Sequence, residues 1–60
     1  MNAGETIKTL REKRGLSQRQ LAMKVNMSQG RISGYETEVT EPSVKAFAHI
    51  LNALGYELVA

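Results

Sequence analysis

Apolar residues recur along the chain at spacings of three and four, which is the period of a helix with one buried face. Leu21, Ala22 and Val25 form one such stripe, and Ile32 and Tyr35 form the next. Ser17 and Ser28 each stand just before a stripe, where a side-chain oxygen can accept from the free N–H groups of a first helical turn. Residues 17–36 therefore predict two short helices joined by a tight turn. Asn26 is suited to the positive φ that the turn needs, and Met27 to filling the wedge between the helices. Upstream, Ile7 and Leu10 predict a first helix over residues 3–14, closed by Gly15, after which Leu16 packs as the chain turns.

Downstream, Pro42 and the cap Ser43 open a fourth helix over residues 44–54, stopped by Gly55. Its stripe is Val44, Phe47, Ala48 and Leu51. Ile50 and Leu54 widen it beyond what a small core needs, which points to burial against a second chain. The ending Tyr56-Glu57-Leu58-Val59 is rich in strand formers. Two readings stand for it: a strand pairing with its copy in a dimer, or a frayed end. Ile50, Leu54, Tyr56 and Leu58 are accordingly the candidate dimer interface. The expected fold is all-α, a compact four-helix or five-helix-like bundle with a short C-terminal extended segment, forming one domain over residues 1–60.

Composition narrows the function. A chain of 60 residues, 42% of them apolar and without Cys, is near the lower limit for a one-core fold and has no disulfide to help. No apolar run reaches the roughly 20 residues of a membrane span, and the start lacks a signal-peptide layout, so the expected location is cytoplasmic, with no membrane partner. The net charge of +2 is unevenly placed. Residues 1–31 hold seven cations against two carboxylates, a balance of +5, while residues 32–60 hold one cation against four, a balance of −3. Such an asymmetry suits a polyanion partner, although charge alone equally describes an uneven solvated surface.

The motif separates these. Ile-Lys-x-Leu-Arg-x-x-Arg-Gly-Leu-Ser-Gln-x-x-Leu-Ala, then Met-Ser-Gln-x-x-Ile-Ser-x-Tyr-Glu, then Pro-Ser, together resemble the Cro and phage-repressor type of helix-turn-helix protein, the xenobiotic-response-element family, over residues 7–55. The resemblance implies a repressor-type helical domain that binds double-stranded DNA as a homodimer, with its third helix in the major groove. It implies base-reading positions at Gln29, Gly30, Ser33 and Gly34, and phosphate contacts from Gln18, Arg19, Ser28 and Arg31. It also implies an ion pair between Arg11 and Glu36. An amide such as Gln29 can give and take hydrogen bonds with the N6/N7 edge of adenine. Arg14, Lys24 and Lys45 are further phosphate candidates, each as readily a solvated charge.

Departures from the family pattern matter. Gly30 and Gly34 stand where longer polar side chains are common, and each costs a helix about 1 kcal/mol relative to Ala. Either bare backbone lets the helix sit deeper, or DNA shape carries more of the recognition. Asn26 replaces the usual turn glycine, and Glu38 and Glu41 stand where many relatives carry Gly and basic residues.

No nucleophile-base pair, paired carboxylates or phosphate-cradling loop is evident, so the chain reads as a non-enzyme. A lone His49 gives too few ligands for a metal, and no cofactor is expected. The leading reading is a sequence-specific transcriptional regulator, a repressor on a palindromic operator. Two others stand beside it. One is a DNA-binding antitoxin that also holds a toxin partner, since Ala-Leu-Gly-Tyr-Glu-Leu-Val resembles the ends of antitoxins whose terminal strands pair across a dimer. The other is a helical adaptor that has lost DNA binding.

Overall fold

Four helices form because every one has a cap at its start and a left-handed residue at its end. In the computed structural model, which describes residues 2–56, they are α1 (Ala3–Lys13), α2 (Gln18–Val25), α3 (Gln29–Glu36) and α4 (Val44–Ala53). Asn2, Ser17, Ser28 and Ser43 are the N-caps, and each side-chain oxygen accepts from a backbone N–H three residues on. At Ser17 the reciprocal bond from Gln20 completes a capping box. Sequence spacing identifies three of these caps; Asn2 emerges from the structure.

The helix ends share one hydrogen-bond pattern. After α1, Leu16 N–H donates to the Arg11 carbonyl at 3.1 Å and Gly15 N–H to that of Glu12 at 2.9 Å, with Gly15 at φ +71°. The same six-to-one and five-to-two bonds recur around Asn26, Glu38 and Gly55. Each is a Schellman closure, which requires a left-handed residue. Gly15, Asn26 and Gly55 meet that requirement cheaply. Glu38 does not, yet it holds φ +66°. Left-handed backbone costs an ordinary L-residue roughly 1–2 kcal/mol. Replacing Glu38 with Gly is therefore expected to stabilise the domain by about 1 kcal/mol, read as a rise of several degrees in the thermal midpoint; an unchanged or lower midpoint would contradict this.

The core is made of Ile7 from α1, Leu21, Ala22 and Val25 from α2, Ile32 and Tyr35 from α3, and Ile50 and Leu54 from α4 and its cap, with Leu10, Leu16, Met27, Phe47, Ala53 and Tyr56 packed around them. α1 crosses α3 so closely that a Cβ at Gly4 would collide with the Tyr35 carbonyl oxygen, so only glycine fits there. His49 reaches from α4 to the Val25 carbonyl, with Nε2 at 3.1 Å, and so joins α4 to the last turn of α2.

On α4 the buried stripe overlaps the expected one, with Leu51 buried and Phe47 packed on the core, and differs from it at Val44, Ile50 and Leu54. Ile50 is wholly buried and Leu54 is 2% exposed, both inside the monomer core, whereas Val44 is 76% exposed. The expectation that Ile50 and Leu54 face a second chain is corrected: residues 47, 50 and 54 share one face of the helix, and that face closes the core over α2. Among the described residues all elements are helical, with four helices, and no helix is long and apolar enough to cross a membrane. Leu58 and the expected extended segment from Glu57 onward lie outside the described residues; Tyr56 is half-buried at the core margin.

Candidate nucleic-acid interface

The orientation of α3 follows from its two apolar residues. Ile32 and Tyr35 face inward, wholly buried and 2% exposed, which turns the opposite side of the helix outward. Gln29 and Gly30 are exposed there and Ser33 is half-buried. A Cβ added at Gly30 would meet nothing within 4 Å, so this part of the helix has an open backbone surface. Gly34 sits differently. A Cβ there would meet Thr40 Oγ1 at 3.4 Å, and its carbonyl accepts from Val39 N–H at 3.0 Å and Thr40 N–H at 3.2 Å. Gly34, one turn after Gly30, thus lies beside the loop that follows α3 at van der Waals distance from Thr40.

Ser28 caps α3, its Oγ accepting from Arg31 N–H at 3.1 Å. Arg31 is exposed, but its side chain runs along the helix: Nε donates to the Tyr35 hydroxyl at 2.7 Å, and the guanidinium carbon lies 5.9 Å from that ring's centre. Nη1 and Nη2 remain on a side chain already fixed in direction, which lowers the entropy lost on meeting an anion. Arg19 is exposed in the first turn of α2.

Behind the outward face, three elements converge on one carboxylate. Glu36, at the end of α3, has a side chain only 2% exposed. Its Oε2 accepts from Arg11 Nε at 2.7 Å, and its Oε1 accepts from Arg11 Nη2 at 3.0 Å and from Gln18 Nε2 at 3.1 Å. Arg11 Nη1 donates in addition to the Leu16 carbonyl at 2.7 Å. This is a fork-on-fork pair, the strongest hydrogen-bonded geometry for Arg and a carboxylate. Its bonds to Glu36 raise the Arg11 pKa above the ordinary value, with desolvation opposing and the nearby charges of Glu36 and Glu12 assisting. The cluster fixes the end of α3 against α1 and the start of α2. Gln18 is therefore a brace, and the second hydrogen of its amide is what it has left for a phosphate.

The fold and this face define a class, two capped helices around a left-handed Asn26 with the second helix presenting polar groups outward. The family model described as "Helix-turn-helix" matches residues 7–60, and the chain belongs to this family, of the Cro/C1 type. It is also similar to the immunity repressor protein of Bacillus phage phi105, at 35% identity over all 60 residues. The chain spans 42% of that relative's length. No solved structure matches the chain.

Sequence reasoning did not find the contact of Arg14 with Tyr56, where the guanidinium carbon lies 5.0 Å from the ring centre, nor the left-handed Glu38. Glu38 had a signal, a position after Thr37 in which relatives favour Gly. Arg14 had none, because the pairing depends on how the ends of α1 and α4 meet.

Proposed function

We infer that this chain is a DNA-binding transcriptional regulator, a repressor that binds a palindromic operator as a homodimer through α3 in the major groove, acting in the cytoplasm. The observation that carries the reading is the outward face of α3, held in direction by the buried Arg11–Glu36–Gln18 cluster. Membership of the helix-turn-helix family and similarity to a phage immunity repressor support it.

In this reading Gln29 pairs with an adenine edge and Ser33 adds a second polar contact, while the bare backbone at Gly30 allows close approach to the bases. Gln18, Arg19, Ser28 and Arg31 hold phosphates and set the register. Val44 replaces Ile50 and Leu54 as the apolar side chain that α4 offers a second copy, joined by Tyr56. The test is selection from random duplexes by the full chain. Two half-sites related by a two-fold axis and about 34 Å apart are the expected result. Enrichment of no sequence, or of an unpaired half-site alone, would overturn the homodimeric repressor.

A further inference from the structure

The molecule is electrically and chemically polar along α1 and α4. The starts of both helices meet the loop after α3, since Asn2, Ala3 and Gly4 line one depression together with Glu38, Thr40, Glu41 and Pro42. The far ends of α1, α2 and α4 meet at another, an open depression of about 330 Å³ lined by Arg14, Leu16, Lys24, Ala53, Leu54 and Gly55. α1 has 11 residues, so the two features lie roughly 16 Å apart along it.

Their chemistries are complementary. The loop presents Val39, 82% exposed, between the exposed carboxylates Glu38 and Glu41. The depression presents an apolar floor of Leu16, Ala53 and Leu54 between two exposed cations. Arg14 is set in place by stacking on Tyr56 and lying against Gly55, where a Cβ would come within 3.0 Å of Nη2. Neither Arg14 nor Lys24 forms an ion pair among the described residues. On the other side, Glu38 keeps its charged side chain at a left-handed position where glycine would be less strained.

The geometry points to a head-to-tail contact in which the Glu38–Val39–Glu41 loop of one copy docks into the Arg14/Lys24 depression of a second copy of this chain. The two surfaces of such a contact differ, so it does not saturate at a symmetric pair and can add further copies, in a row or a ring. It leaves Val44 free for the proposed homodimer and adjoins that contact at Tyr56, on which Arg14 stacks. Its functional consequence rests on the DNA-binding reading: neighbouring operators would hold copies at the millimolar effective concentrations that tethering gives, and would fill cooperatively.

The test uses the full chain in solution without DNA, so its failure and the failure of the DNA-binding reading are distinguishable. Sedimentation equilibrium at low salt is expected to show a weight-average mass that rises past two chains as concentration approaches the millimolar range, and falls back at about 0.5 M salt, where screening extends over only a few ångströms. Arg14→Glu with Lys24→Glu is expected to abolish the rise, as is Glu38→Lys with Glu41→Lys. The chain carrying all four substitutions has the parent's net charge and reversed complementarity, and is expected to regain it. Circular dichroism of each variant establishes that it is folded. A parent that stops at one or two chains, half-exchanged variants that assemble like the parent, or a folded four-fold variant that does not assemble would each overturn the proposal.

Discussion

Glu36→Ala is expected to remove most of the net stability of this domain. The substitution leaves the Arg11 guanidinium buried, 8% exposed, without its carboxylate, and leaves Gln18 without its acceptor. Breaking a buried pair from one side costs about 3–5 kcal/mol, most of it the penalty for an uncompensated charge. A core of this size rarely supplies more than roughly 3–5 kcal/mol of net stability. Urea unfolding followed by circular dichroism is the measurement, and a loss under about 1 kcal/mol would show that the cluster does not hold α3. Arg11→Met combined with Glu36→Leu separates the two contributions. Replacing both partners with apolar groups removes the stranded charge, so the double variant is expected to be more stable than Glu36→Ala. A double variant equally unstable would assign the loss to packing.

Gln29→Ala is expected to act on recognition and leave stability nearly unchanged. Gln29 is exposed in the first turn of α3, and no hydrogen bond ties its side chain to the rest of the described residues. A bidentate amide-adenine pair is worth about 1–3 kcal/mol of discrimination, or roughly tenfold to a hundredfold in binding. Loss of a phosphate contact has a different signature. It weakens binding to all sequences alike and lowers the dependence on salt by about one ion. Gln29→Ala should do neither, whereas Arg19→Ala provides the contrast.

How much was legible in the sequence depended on the range of the interaction. Caps and closures act within five residues, so Ser17, Ser28, Ser43, Gly15, Asn26 and Gly55 could be placed from local pattern alone. The inward side of α3 followed from the spacing of Ile32 and Tyr35, which also set Gln29 outward. On α4 the same reasoning held for Phe47 and Leu51 and failed for Val44, Ile50 and Leu54. Val44, Phe47, Ala48, Ile50, Leu51 and Leu54 spread apolar residues over an arc of about 160° of the helix, and periodicity does not say which edge of that arc meets the core. The decision rests on α2, against which α4 packs, and Ile50 and Leu54 went inward. Resemblance to the family paired Arg11 with Glu36 across 25 residues, where the two side chains now meet at 2.7 Å; local pattern gave either residue only as a surface charge. The left-handed Glu38 that turns the loop after α3 had a signal only in the resemblance to the family, which favours Gly there; composition and spacing gave none.

The central claim is that the outward face of α3 reads bases. It is tested most directly by comparing the parent chain and Gln29→Ala on the selected duplex and on duplexes with each adenine position of the half-site replaced in turn. The prediction is a parent that loses about tenfold or more at one position, and a Gln29→Ala protein that binds the selected duplex more weakly and has become indifferent to that same position. A Gln29→Ala protein with the parent's affinity and the parent's preference at every position would contradict it.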